Sequence, residues 1–133
     1  MAEYYNMSAT ANRQFAIRTG SLTGLHWVGI IAALVSGIVH IRLGLGFAPS
    51  PLGISFLIAG VGFLASAALV LPDPRRRTVY GLGIPFTLGQ IVLWYYVNFV
   101  AGAKAFPADV GSLGVVDKVA QVVLLVVLLA LLR

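Results

Sequence analysis

Apolar residues fill four long runs of this chain, and polar residues gather in the gaps between them. The runs are Leu22–Phe47, Leu52–Leu71, Val79–Val100 and Leu113–Leu132. Each is close to the roughly 20 residues that a helix needs to cross the hydrocarbon core of a bilayer. Periodicity does not separate helix from strand in a continuous apolar run, but length does. A membrane-spanning strand would have only about 10 residues and would alternate in polarity. The breaks have physical causes. Pro49-Ser50-Pro51 ends the first run, because proline lacks an amide donor and constrains the residue before it. Pro72-Asp73-Pro74 with Arg75-Arg76-Arg77 ends the second, and a segment from Gly102 to Gly111 holding Lys104, Pro107 and Asp109 ends the third. The pattern predicts an all-α membrane protein, an antiparallel four-transmembrane-helix bundle over residues 21–133 behind a polar tail, residues 1–20.

Composition sharpens this picture. Of the 133 residues, 59% are apolar and 10% charged, against about 25% charged in an ordinary soluble domain. Mean hydropathy is +0.96. These values exclude a soluble globular enzyme, a disordered tail and a nucleic-acid-binding domain. With no cysteine, there is no disulfide, thiolate nucleophile or iron–sulfur cluster. The net charge of +5 reads as membrane orientation. Arg13, Arg18, Arg75, Arg76, Arg77 and Arg133 fall on one side of an alternating bundle, and Arg42, Lys104 and Lys118 on the other. Both termini are therefore expected to be cytoplasmic. The first run is too long for a signal-peptide core and lacks a cleavage pattern. Met7-Ser8-Ala9-Thr10 reads as a second start, which leaves open whether residues 1–6 are native.

The first span carries most of the candidate chemistry. It holds both histidines of the chain, His26 and His40. Fourteen positions apart, they lie about 40° from each other around a helix and about 21 Å apart along it. Gly29, Ala33, Gly37 and Gly44 share that face. One reading is close helix packing, since small residues let backbones approach where apolar attraction is weak. The other is haem b, with His26 and His40 as axial ligands and the small residues making room for porphyrin. One iron cannot take both, so bis-histidine ligation would require a parallel homodimer.

The other spans suggest contacts. Ser55, Ala59, Gly62 and Ser66 make a small-residue stripe for a helix–helix contact on span two, and self-association is expected through span one or span two. Pro85 should bend span three. Gln90 lies near the bilayer centre and needs a hydrogen-bond partner there, on a neighbouring helix or on a ligand. Asn98 is a further polar position, while Trp94, Tyr95 and Tyr96 suit the outer interface. Most of span four is expected to face lipid. Asp117 at its start is expected to pair with Arg42, or each to be solvated at the interface.

Several blocks together resemble a family of small four-helix membrane proteins from haloarchaea. They are Leu25-His26-Trp27-Val28-Gly29, Val39-His40, Pro49 to Ile54, Arg75-Arg76-Arg77, Gly83 to Thr87, Gln90 to Tyr95 and Val116 to Gln121. The resemblance runs from about residue 19 to the C-terminus. It implies a membrane topology and an archaeal source, and carries over no catalytic residue. Without a P-loop, a nucleophile–base pair or a metal-ligand cluster, catalysis by this chain alone is not expected. The leading expectation is a non-catalytic protein of the cell membrane, a homo-oligomer or an accessory subunit of a membrane complex. The alternatives are the homodimeric b-type cytochrome, and a small channel or a binder of carotenoid, quinone or lipid using Gln90, Asn98, Arg42 and Asp117.

Overall fold

The computed structural model describes residues 19–72 and 76–133, and most of the polar tail lies outside them. The described residues are helical, with no strand among them. After a single 3-10 turn at Thr19–Ser21 come α1 (Gly24–Phe47), α2 (Pro51–Val70), α3 (Arg76–Tyr95) and α4 (Ser112–Leu132). A five-residue π turn, Tyr96–Val100, closes α3. The helices α1, α2 and α4 are long and apolar enough to cross a membrane; α3, which opens on two arginines, is the least apolar. The fourth span predicted from the sequence thus exists as a helix without meeting that standard.

The helix ends follow from local chemistry. Ser50 caps α2: its Oγ accepts from Gly53 N at 3.1 Å, and Pro51 fills the first helical position, where no amide donor is needed. Thr23 precedes α1, and its backbone N–H donates to His26 Nδ1 at 3.0 Å. At the opposite ends, two arginines saturate carbonyls that a helix leaves open. Arg76 donates from Nε to Val70 O at 2.7 Å and from Nη1 to Ser21 Oγ at 2.7 Å. Arg77 donates from Nη2 to Leu132 O at 3.1 Å. Consecutive side chains thereby fasten the ends of α2 and α4 to the start of α3.

Close packing centres on α1, which lies against α2 and α4; α3 packs on α4 and more lightly on α2. The α1–α2 contact is backbone against backbone. A Cβ on Gly60 would stand 3.0 Å from Gly37 O, and one on Gly44 would stand 2.9 Å from Gly53 O. Gly29 receives Val127 of α4, and Ala33 is buried beside it. The small face of span one thus packs against α2 and α4 of the same chain. On α2 the α1-facing positions are Gly53 and Gly60; of the stripe predicted there, Gly62 meets Phe86 of α3 while Ser55 is exposed. Phe63 sits at the heart of the bundle, its ring 5.3 Å from His40 and 4.9 Å from Phe86.

One end of the interior is apolar and the other polar. Ile30, Ala67, Val70, Leu124 and Leu128 close around Phe63 at the first end. Ser36, His40, Asp117 and Gln121 occupy the second. Most of α4 was expected to face outward, but only one side of it is exposed. Asp117, Ala120, Gln121, Leu124, Val127 and Leu128 are buried at helical spacing, while Val119, Val122 and Val126 point outward. Large apolar side chains stand exposed on every helix, including Ile38, Ile58, Leu82 and Val126.

Candidate functional site

The polar end of the bundle opens into a cavity of about 320 Å³ between all four helices and the segment joining α3 to α4. Helical spacing delivers its chemistry. On α4, Asp117 and Gln121 are four apart and share a face, with Lys118 beside them. On α1, Ser36 and His40 are likewise four apart. Where these faces meet, four side chains close a hydrogen-bonded ring. Ser36 Oγ donates to Asp117 Oδ1 at 2.5 Å, and Gln121 Nε2 donates to Ser36 Oγ at 3.3 Å. Lys118 Nζ donates to Asp117 Oδ2 at 2.9 Å and to Gln121 Oε1 at 2.5 Å. Ser36 and Gln121 are wholly buried behind the cavity, whereas Asp117 and Lys118 line it.

The ring answers the cost of burying charge. An isolated carboxylate in an apolar interior is prohibitive, and an ion pair is tolerable there only when its remaining atoms are hydrogen-bonded. Both oxygens of Asp117 accept a bond, and two Lys118 protons are used. The ammonium also lies 5.0 Å from the ring centre of Trp94, within cation–π range.

His40 stands beside the ring and is almost fully buried, at 3% exposure. Its Nδ1 lies 2.8 Å from Ser36 O. A carbonyl can only accept, so Nδ1 carries a proton and donates it. Nδ1 is 3.6 Å from Asp117 Oδ1, beyond hydrogen-bond reach. The Nε2 atom makes no hydrogen bond among the described residues, and the side chain lines the cavity.

The third helix supplies the opposite wall. Gln90 is half-buried, lines the cavity and makes no hydrogen bond among the described residues. Asn98 Nδ2 donates to Trp94 O at 2.8 Å, inside the π turn. Such turns put a side chain where a regular helix would not. The following segment folds tightly back, since a Cβ on Gly102 would sit 2.5 Å from Val97 O. Phe99, which lines the cavity with Trp94, stacks edge-on with Trp94 at 5.2 Å and with the exposed Phe106 at 5.3 Å.

The sequence-derived candidates therefore divide. His40, Asp117, Gln90 and Asn98 converge on one cavity. His26 does not: its Nδ1 serves the start of α1, and its ring packs 6.2 Å from Tyr80 in the apolar end. The expected Asp117–Arg42 pair does not form, because Ser36 and Lys118 already occupy the carboxylate while Arg42 is exposed on α1. His40 is buried within its own chain against Phe56 and Phe63, and the glycines beside it are filled by Leu57 and Leu64. Ser36, Lys118 and Gln121 escaped the sequence reading as site residues. Their signal was the one that singled out Gln90: a polar group inside an apolar span needs a partner.

No curated protein and no solved structure matches this chain. The sequence does match one family profile, over residues 10–132, which contain every helix and the whole cavity. On that match the chain belongs to DUF7475, a family of unknown function.

Proposed function

We propose that this protein is a four-span integral membrane protein of the cell membrane, an antiparallel bundle with both termini cytoplasmic, that holds a small lipid-soluble molecule and has no catalytic chemistry of its own. The outward side chains support the membrane reading. Leu82, Leu88 and Val92 make the outer face of α3 as apolar as those of its neighbours, so its polar atoms point inward or lie at its ends. The cavity carries the binding reading. It joins an apolar, aromatic wall to a few fixed polar groups, the usual make-up of a small-molecule site. Amphipathic molecules already concentrated in the bilayer match that division.

Trp94 lines the cavity and reports on it. In a Trp27→Phe background, which leaves one tryptophan, naphthalene derivatives titrated into the protein in nanodiscs should quench Trp94 saturably. Gly114→Leu, which puts a side chain into the cavity wall near Trp94, should abolish saturation. Quenching that rises linearly and is unchanged by Gly114→Leu would reflect partition into lipid alone and would refute the binding reading.

A further inference from the structure

The cavity has a donor–acceptor code, and it rests on His40. Because Nδ1 is committed as a donor to Ser36 O, the free valence of the imidazole is at Nε2. Asp117, the one carboxylate in contact with the ring cluster among the described residues, is already balanced by Lys118. In the tautomer that donates from Nδ1, Nε2 presents a lone pair to the cavity. Lys104 and Asp109 also line the cavity, toward its mouth, where both residues are exposed. An acceptor left without a donor inside the bundle is costly, and Nε2 faces the cavity, where a ligand could supply the donor.

We infer that the cavity takes a lipid-soluble molecule headed by an aromatic hydroxyl, a phenol or quinol, whose O–H donates to His40 Nε2. This deepens the proposed binding role and rests on it. The hydroxyl oxygen is in turn an acceptor. The cavity offers it the Gln90 amide, which has no other partner among the described residues, and the Lys118 ammonium. The flat ring has aromatic neighbours in Trp94 and Phe56. A tail leaves through the α2–α3 seam, the loosest in the bundle, where Leu52 and Leu93 form the wall. The code discriminates by redox state and by capping. A quinone or a methyl ether has the same ring and only acceptors, so it leaves Nε2 unpaired.

The test compares 2-naphthol, 2-methoxynaphthalene and 1,4-naphthoquinone in the Trp94 quenching assay. One hydrogen bond to a buried partner corresponds to about a tenfold difference in Kd. Naphthol should bind about tenfold more tightly than either analogue, and His40→Phe should erase the preference. Equal affinities for all three in the unaltered protein would overturn the hydroxyl assignment and leave the binding role standing. Saturable binding by none would overturn both. Should His40→Phe fail to fold, nitrogen-15 spectra of histidine-labelled wild-type protein decide. Naphthol, and not its ether, should shift the Nε2 resonance of one of the two histidines. No shift with saturating naphthol would reject the contact.

Discussion

Replacing Gly53 with alanine probes the tight turn between α1 and α2. The added Cβ would lie 2.5 Å from Phe47 C, 2.5 Å from Ala48 N and 2.7 Å from Phe47 O. These are backbone atoms at the end of α1, and no rotamer change removes them. The helices must separate or the turn must rebuild. Overpacking of this kind costs about 3 kcal/mol, at the upper end of its usual range. Alanine returns up to about 1 kcal/mol in helix propensity, leaving a net loss of about 2 kcal/mol. The internal control is Gly89→Ala in α3, where nothing lies within 4 Å of the new Cβ and only the propensity gain remains. Unfolding by SDS titration in mixed micelles, followed by tryptophan fluorescence, measures both. The two variants should differ by at least about 30-fold in their folding equilibrium constants. Equal midpoints would refute backbone contact between α1 and α2, and with it the packing reading of the glycine face.

Other outcomes are specific to the polar end and the loops. Asp117→Leu strands Lys118 in an apolar interior and should cost about 3–5 kcal/mol; adding Lys118→Met should recover most of that loss, since no unpaired charge remains. Ser36→Ala removes a bond from both Asp117 and Gln121 and should lower stability by about 1–3 kcal/mol in the same titration. Because the chain has no cysteine, single replacements report topology directly. Ala103→Cys should react with an impermeant maleimide on intact cells and Arg133→Cys only after permeabilisation; the reverse pattern would invert the proposed orientation.

Helix number and position were legible because bilayer thickness fixes the length of an apolar run, and because Pro49, Pro51 and Pro72 stop the runs. The rotation of each helix about its axis was not. In water, contrast between apolar and polar faces marks the buried side; here both sides are apolar, and that contrast is lost. On α2 the reading chose Ser55, Ala59, Gly62 and Ser66, of which Ala59 is buried and Gly62 meets Phe86 of α3, but it did not find Gly53 and Gly60, where the backbone of α2 comes closest to α1. On α4 the run of valines and leucines concealed a buried stripe that begins at Asp117. The partner of Asp117 was sought among charges assigned to the same side, which led to Arg42. The packing of Ser36 against α4, invisible in one sequence, supplied a hydroxyl instead. Gln90 and Asn98 were found because isolated polar groups in a span stand out even without knowledge of rotation.

Arg76 and Arg77 place a constraint on how such a protein can change. Charge in a short loop ordinarily tells the insertion machinery which way a chain should face, and any cationic residue there serves. Here those same side chains also reach the terminal carbonyls of α2 and α4, and Arg76 does so with the forked shape of guanidinium as well as its charge. In the proposed topology, address label and fastening are therefore one part. Lysine at these positions would preserve the signal read during insertion yet loosen the finished bundle. A protein inserted correctly but held together poorly is the failure this arrangement invites, and arginine at 76 and 77 guards against it.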